Sequence, residues 1–368
     1  MKNENIKIRY AECLEEIYFH INSIYNEVKT ETQEEPLFWF RGHSKASYNL
    51  EPSLFRNADY KYNDSRTYSN NHLREEYRFQ NFMARNYDNV DYRMPQFMIE
   101  WLEVMQHYFS KTRLMDWSES LTIALEFALE SFITPVKDLE VKERNRTAEP
   151  IIWILQPARL NKKVYHSFIN NDKKLIDDAL YIVDEKKDIS ERIWKELKKD
   201  NSYHIYCDID MEDDRNMNAM ISLSSLEMIR NAYRGREMEA LKKFEMNPFF
   251  FLLLRYYSDG LPVEWGQIPP LAIIHPYHSQ RIKNQRGVFT VFPHYEPNKL
   301  MKVLNEKGNT KLSIGMEYMP ECKSCLHAIQ IMNPQRVADE LRITGAKRGN
   351  LYPDMQIISQ DLENVIRK

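Results

Sequence analysis

Arg41 is the first residue along the chain whose surroundings suggest ligand chemistry. It follows the largely aromatic residues 37–40 and precedes Gly42. A planar guanidinium can hold two oxygens of one phosphate, and a neighbouring glycine lets a ligand or a turn approach the backbone closely. The pattern therefore predicts an anion site at the end of a short strand. The alternative is an Arg41 that pairs with a buried carboxylate such as Asp116.

His107 and Tyr108 belong to a second candidate segment, a dense mix of polar and aromatic residues between positions 106 and 117. His107 follows Glu103 by four residues, a spacing at which a carboxylate can stabilise the charged imidazole on one helix face. We expect His107 to act as a general base or to donate to a ribose, with a purely structural histidine as the alternative. Tyr108 falls on the apolar face of that helix, which predicts a core position, although a tyrosine at a helix end can also stack on a nucleobase.

Thr112, Arg113 and Asp116 form a compact polar cluster ahead of a predicted helix. The free N–H groups of a helix N-terminus favour anions, so Arg113 is expected to bind one there, with Thr112 beside it. Asp116 either contributes to that site or caps the helix and pairs with Arg41 or Arg113. Glu126 lies off the apolar stripe of the same helix and is expected to face solvent.

No metal site is predicted. Cys322 and Cys325 form a lone C-x-x-C, and a structural zinc site would need two more soft ligands, whereas Cys13 and Cys207 lie far off in sequence. The acidic run at 208–214 lacks the glycine of a calcium loop, which favours a solvated turn. Walker loops, G-x-S-x-G elbows and His-Glu-x-x-His helices do not occur, so those enzyme classes are excluded.

The overall charge argues against nucleic acid and membrane partners. The chain has 51 Lys+Arg against 54 Asp+Glu, a formal net charge of −3. Binding to DNA irrespective of sequence depends on many phosphate contacts, which a near-neutral chain is poorly suited to make. No apolar run approaches the roughly 20 residues of a spanning helix, and the polar N-terminus does not resemble a secretory signal. With few cysteines, a reduced, cytoplasmic protein is expected.

Helical and strand patterns follow one another along the chain and predict an α+β protein. Apolar residues recur at helical spacing from Leu14 to Val28 and again from Phe97 to Tyr108, whereas short apolar runs at 37–40, 151–155, 271–274, 288–292 and 326–331 are typical of strands. Strands that occur singly between helices favour a mixed β-sheet core surrounded by helices. We predict an N-terminal helix over 1–36 and one domain over 37–368, with a charged helical insertion at about 160–216.

Several separate motifs, in order along the chain, resemble the FRG domain. They are FRG at 40–42, LEPSLFR at 50–56, QHY at 106–108, TRLMDW at 112–117, IALEFA at 123–128, Arg281-Ile282, QRGVF at 285–289 and LYPD at 351–354. The resemblance runs from about residue 37 to the C-terminus. It implies a bacterial-type FRG protein, a family described mainly by its sequence motifs and little by its activity.

The aromatic-Arg-Gly strand also resembles the first core strand of arginine-type ADP-ribosyltransferases, whose arginine holds a phosphate of NAD. That resemblance implies NAD as a substrate and a role in phosphate binding for Arg41. In those enzymes a late strand supplies a glutamate that stabilises the oxocarbenium-like ribose, and here the matching position would be Gln285, with Arg281 four residues before it. An amide orients a ligand but cannot supply the negative charge that a developing cation needs.

Two functions from different classes follow. The first is the binding of a phosphate-bearing nucleotide in one cleft, with ADP-ribosyltransferase-like or NAD-consuming chemistry. His107 and Gln285 would be its catalytic residues. Gly42, Tyr108, Thr112, Asp116 and the three arginines at 41, 113 and 281 would bind the ligand. The second is a non-catalytic module that binds a nucleotide, a nucleic acid or a protein and uses the charged insertion as its contact surface.

Overall fold

The computed structural model of the chain describes residues 6–33, 35–56, 65–86, 98–108, 110–133, 149–170, 257, 267–274, 280–295, 301–304 and 310–346. The acidic run at 208–214, the LYPD motif at 351–354 and all of the expected charged insertion beyond Asn170 lie outside these residues. Within them, no helix combines the length and the apolar composition needed to cross a bilayer.

A mixed seven-stranded sheet forms the centre of the described structure. Its strands are β1 (Ile8–Ala11), β2 (Trp39–His43), β3 (Leu114–Ser118), β4 (Ile151–Leu155), β5 (Leu271–Ile273), β6 (Gly287–Val291) and β9 (Leu326–Ile331), in the spatial order β1-β9-β4-β2-β3-β6-β5. All neighbouring pairs are antiparallel except β1 and β9. The strands β7 (Met301–Leu304) and β8 (Thr310–Ser313) pair separately as an antiparallel ribbon.

Helices surround this sheet, which confirms the α+β class. Those in the described ranges are α1 (Leu14–Thr32), α2 (Ser65–Asn86), α3 (Met98–His107), α4 (Leu121–Ala128), α5 (Glu130–Ile133), α6 (Pro157–Asn170), α7 (Gln280–Asn284), α8 (Pro320–Lys323) and α9 (Pro334–Ile343). Short 3-10 turns occur at Ser53–Phe55 and Met316–Tyr318.

The sheet has an apolar core on each of its faces, and the strand β4 contributes side chains to both. All five of its residues are buried, because helices cover both faces of the sheet. Ile152 and Ile154 pack in one apolar cluster with residues of α1, α4, α5 and α9. Ile151 and Trp153 point to the other face and pack with residues of α3 and α6. The alternating side chains of a strand thus join the two cores across one central element.

The sheet divides between β2 and β3. The strand β2 pairs with β4 along its whole length from Trp39 to His43, and β3 pairs with β6 along its whole length from Leu114 to Ser118. Between β2 and β3 the register contains a single pair, Phe40 with Ser118. The two strands therefore diverge beyond Phe40, and the backbone of Arg41 and Gly42 is released from pairing on that side.

The position of Asp116 corrects one sequence expectation. Asp116 does not cap the following helix, because it lies within β3, and Ser120 occupies the N-cap position of α4. The strand forms because Leu114, Met115 and Trp117 are buried against the sheet and pair with β6, while Asp116 points outward. Local sequence favoured a cap, and the long-range pairing with β6 outweighs it.

The N-terminal segment also contains more than the expected helix. Strand β1 precedes α1 and pairs in parallel with β9, so this segment contributes an edge strand to the same sheet. The helix itself is confirmed, from Leu14 to Thr32. The proposed division at residue 36 and the insertion at 160–216 stay predictions, with α6 as the only described part of the latter.

Candidate functional site

A cleft of about 290 Å³ opens where β2 and β3 diverge, bounded by α3, α4 and α7. Six of the residues expected from the sequence line this one cleft, namely Arg41, Gly42, His107, Asp116, Arg281 and Gln285. They come from four elements of the described structure and from the residue just after α7. The remaining three expected residues, Tyr108, Thr112 and Arg113, are not among the lining side chains.

Arg41 spans the gap between the diverging strands. Its Nε donates to Nε2 of His43 at 3.0 Å, and its Nη1 donates to the main-chain carbonyl oxygen of Asp116. The same Nη1 lies 3.8 Å from the carboxylate Oδ2 of Asp116. Burial, and then the positive charge of Arg56, lower the pKa of Arg41 to about 10, although Asp116 acts in the opposite direction. The guanidinium is charged at neutral pH, although burial and Arg56 lower its pKa by more than Asp116 raises it.

Asp116 is held at the cleft by a short chain of polar side chains. Nε2 of Gln106 donates to Oδ1 of Asp116 at 2.6 Å, and the hydroxyl of Thr112 donates to Oε1 of the same Gln106. Thr112 is fully buried, and its main-chain N–H donates to the hydroxyl of Ser53 at 3.2 Å. Thr112 therefore acts on the cleft through Gln106 rather than by touching a ligand.

His107 ends α3 and lines the cleft, whereas its neighbour Tyr108 points away from the core. The side chain of Tyr108 is 51% exposed, so the expectation of a core position was wrong. Its ring packs at 6.3 Å from that of Phe82 in α2 and at 5.0 Å from that of His107. The helix ends at His107, and the residue that follows is released from its apolar face.

Arg113 lies in the interior and not at a helix N-terminus. Its side chain is fully buried, and its Nε lies 3.0 Å from Oε2 of Glu75 in α2. The main-chain N–H of Arg113 donates to the other oxygen of Glu75 at 3.0 Å, and Nε2 of His294 lies 3.2 Å from Oε2. Burial opposes the charge of Glu75, but Arg113 and His294 outweigh it and lower the pKa of this carboxyl. The geometry is that of a buried ion pair in the interior of the fold.

Arg281 and Gln285 enter the cleft from α7 and the turn after it. Both are partly exposed, and the main-chain N–H of Gln285 donates to the carbonyl of Arg281 at 2.9 Å. The hydroxyl of Ser118 donates to the carbonyl of Gln285 at 2.7 Å, which ties this turn to β3. Arg281 lies within α7 and Gln285 directly after it, and both residues line the cleft.

Gly42 brings a helix close to the sheet. A Cβ atom at this position would overlap the carbonyl oxygen of Ala124 and lie 2.8 Å from the main-chain nitrogen of Ala128, both in α4. The close approach expected at Gly42 is therefore made by a helix of the protein itself. Because α4 forms one wall of the cleft, this contact helps to set the shape of the site.

Two glutamates are buried near the cleft helices, and one of them lines the cleft. Glu103 is buried and lines the cleft from α3, so the lining contains a second carboxylate besides Asp116. Glu126 was expected to face solvent, which is wrong, because its side chain is 2% exposed. The helix α4 is short and buried on most of its sides, so its apolar stripe does not mark a single inner face.

Cys322 and Cys325 are buried in and beside α8. Burial raises the pKa of Cys325 to about 11 and that of Cys322 well above its ordinary value. Thiols held in this form are poor nucleophiles and poor metal ligands. Among the described residues, no group of three or more histidine, cysteine and carboxylate side chains is arranged to hold a metal ion.

The comparison with protein families agrees with the motifs that form the cleft. The family model of the FRG domain matches residues 36–135, which contain β2, α3, β3 and α4. No curated protein and no solved structure matches the chain. The matched segment supplies Arg41, Gly42, His107 and Asp116, and α7 completes the cleft from outside it. The chain is therefore similar to the FRG domain over residues 36–135, about a quarter of its length.

Proposed function

We propose that the cleft between β2 and β3 binds a phosphate-bearing nucleotide. The observation that carries this proposal is the convergence on a single cleft of Arg41, His107 and the pair Arg281 and Gln285, which come from three distant parts of the sequence. Arginine, imidazole and amide groups are the side chains that bind phosphates and orient sugars and bases. A volume of about 290 Å³ lies near the lower end of the range typical of small-molecule sites.

Arg41 is the proposed phosphate ligand. Its Nε and Nη1 donate within the protein, and no described residue accepts from Nη2. The side chain is 15% exposed and lines the cleft, so a ligand can reach it. Burial and Arg56 together disfavour the charged form of Arg41, and a bound anion would stabilise that form. Arg281 supplies a second cation to the lining of the cleft.

An aromatic side chain is available for the base. Phe127 of α4 lines the cleft and is partly exposed, unlike Trp117, whose Nε1 donates to Thr290 at 3.1 Å within the core. Stacking of a base on an aromatic ring contributes about 1–3 kcal/mol and tolerates any base. We therefore place the base beside Phe127 and the phosphates beside the arginines.

The finer proposal is ADP-ribosyltransferase-like or NAD-consuming chemistry at this site. His107 would act as the general base, and Gln285 would orient the sugar. Asp116 and Glu103 provide carboxylates in the cleft, which makes the lack of a glutamate at position 285 less restrictive. The alternative is a non-catalytic binding module, which the amide at Gln285 favours, because an amide cannot offset a developing positive charge.

Isothermal titration calorimetry with NAD, ADP-ribose, ADP and inorganic phosphate tests the binding proposal. We expect binding by the wild type and a loss of at least about tenfold in Arg41→Ala and Arg281→Ala. Arg336→Ala is the matched control, because this arginine lies on α9 and pairs with Glu340 at 2.9 Å outside the cleft. Absence of binding by the folded wild type, or full affinity in Arg41→Ala, would contradict the proposal.

Mass spectrometry of the same incubations separates the enzyme from the binding module. An NAD-consuming enzyme releases nicotinamide or produces an ADP-ribosylated product, and His107→Ala should abolish that product while nucleotide binding persists. A module binds the nucleotide and returns it unchanged. Nicotinamide release that is unaltered in Arg41→Ala would place the chemistry elsewhere in the chain.

A further inference from the structure

The cleft presents charges of both signs. Arg41 and Arg281 are cationic, whereas the Asp116 side chain is 58% exposed at the same lining. An ionised carboxylate only accepts hydrogen bonds, and it repels a phosphate placed directly upon it. A ligand that fills this cleft must therefore combine an anionic group for the arginines with hydrogen-bond donors for Asp116.

The carboxylate of Asp116 is fixed for such a task. Gln106 donates to its Oδ1 at 2.6 Å, and the buried Thr112 holds Gln106 in turn. The other oxygen, Oδ2, is 3.8 Å from Nη1 of Arg41, which is longer than a hydrogen bond. Oδ2 therefore retains acceptor capacity beside the cation, while Oδ1 fixes the orientation of the group.

The spacing of the two groups constrains the ligand further. Arg41 and Asp116 lie on strands that diverge from each other, and they touch through the main-chain carbonyl of Asp116. A phosphate on Arg41 and a donor on Asp116 must then be separated by only a few bonds in the ligand. The 5′-phosphate and the vicinal hydroxyls of one ribose have this relationship, and a carboxylate is a common acceptor for ribose hydroxyls.

We infer that Asp116 is the sugar-recognition residue of the cleft, which accepts from the 2′- and 3′-hydroxyls of a ribonucleotide and discriminates against sugars that lack them. This inference rests on the proposed nucleotide site. It assigns Asp116 a specificity role that differs from helix capping and from charge balance for Arg41. The Gln106 and Thr112 side chains are positioning residues, since they act through Asp116.

Calorimetry with two probes, ADP and 2′,3′-dideoxy-ADP, tests the inference. For the wild type we expect ADP to bind about 10- to 100-fold more tightly, as expected for hydrogen bonds to a charged group. In Asp116→Asn and Asp116→Ala this preference should shrink to within about threefold. Arg41 keeps its main-chain partner in both variants, because the carbonyl of residue 116 remains. Glu15→Gln, which removes an exposed carboxylate in the first turn of α1, should keep the full preference.

The possible results distinguish failure of the Asp116 role from failure of the nucleotide site itself. If the wild type binds ADP and its dideoxy analogue equally well, the sugar-recognition role is overturned while the nucleotide site stands. A full preference for ADP over its dideoxy analogue in both Asp116 variants would also overturn the sugar-recognition role. If the folded wild type binds neither probe, the nucleotide site fails, and the role of Asp116 fails with it. The wild-type comparison needs no variant, so a substitution that unfolds the protein does not prevent the test.

Discussion

Arg41 donates from Nη1 to the main-chain carbonyl oxygen of Asp116 across the point where β2 and β3 separate. This bond links two halves of the sheet that otherwise share the single pair of Phe40 and Ser118. The guanidinium also lines the cleft. The FRG motif thus couples the integrity of the sheet to the presence of a cation in the cleft.

Arg41→Lys should separate these two roles. A lysine keeps the charge but cannot donate to His43, to the Asp116 carbonyl and to a ligand in one plane. We expect Arg41→Lys to remain folded and to bind ADP at least about tenfold more weakly than the wild type. Urea unfolding and calorimetry on the same preparation provide the two readouts. Wild-type affinity in Arg41→Lys would mean that charge alone suffices and that the planar fork is not required.

Gly42→Ala should destabilise the protein because α4 leaves no room for a methyl group. The added Cβ would overlap the backbone of Ala124, which can yield only if the helix shifts. We expect a loss of about 3 kcal/mol in the free energy of unfolding. Gly345→Ala is the control, since a Cβ there meets nothing within 4 Å and only its φ of 92° is unfavourable, at about 1 kcal/mol. Equal losses for the two variants would refute tight packing at Gly42.

Arg113→Ala should act on stability rather than on ligand binding. Its removal leaves the carboxylate of Glu75 buried with only His294 and main-chain donation beside it, which costs about 3–5 kcal/mol. The double variant Arg113→Met with Glu75→Leu should recover much of that loss, because no uncompensated charge remains. Urea denaturation measures both. A stable Arg113→Ala protein with abolished ADP binding would instead place Arg113 in the binding site.

His327 should make stability depend on pH. Burial, and then the charge of Arg9, lower the pKa of His327 in the folded protein to about 4, and its Nε2 accepts from Gln156 at 2.8 Å. The unfolded chain therefore takes up this proton first as the pH falls. Stability should decline from about pH 6.5 and level off below about pH 4, by about 2 kcal/mol after allowance for partial exposure.

The comparison variant for that measurement is His327→Gln. Its free energy of unfolding should lack the decline that His327 causes between about pH 6.5 and pH 4. The wild type should therefore lose stability relative to His327→Gln as the pH falls through that range. Glu27 and Glu31 also act on His327 and favour its protonation, which limits the size of the effect. Identical pH profiles for the wild type and His327→Gln would show that His327 does not titrate in the predicted window.

Cys322 and Cys325 should resist alkylation in the folded protein. Both thiols are buried, and the pKa of Cys325 is raised to about 11, so little thiolate is present at pH 8. Peptide mapping after iodoacetamide treatment should find both cysteines unmodified without urea and modified with it. Rapid alkylation of either thiol in the native state would contradict the packing around α8.

The sequence identified much of the cleft because its residues carry local signals. Arg41 and Gly42 follow an aromatic run, and His107 lies four residues after Glu103 on a helical pattern, so these residues could be found without tertiary information. Arg281 and Gln285 are indicated by the FRG-like motifs that contain them. Their convergence follows from the order of strands in the sheet, which local patterns do not determine. The FRG-like motifs were the one signal that grouped them.

Long-range partners account for the errors. The sequence predicts an anion-binding Arg113 because Glu75, which pairs with it in the interior, is distant in sequence. The sequence predicts an exposed Glu126 because an apolar stripe does not reveal that α4 is covered on most sides. In each case other elements bury the charged group, and their contribution cannot be deduced from the local sequence around it.

A crystal structure of the wild-type protein soaked with ADP would test nucleotide binding in the cleft most directly. The geometry predicts density for a phosphate within hydrogen-bonding distance of Nη2 of Arg41, with Arg281 facing it and the ribose hydroxyls at Oδ2 of Asp116. Density for ADP at any other surface would contradict nucleotide binding at the point where β2 and β3 separate. The same holds for an empty cleft at a concentration that saturates the protein in solution.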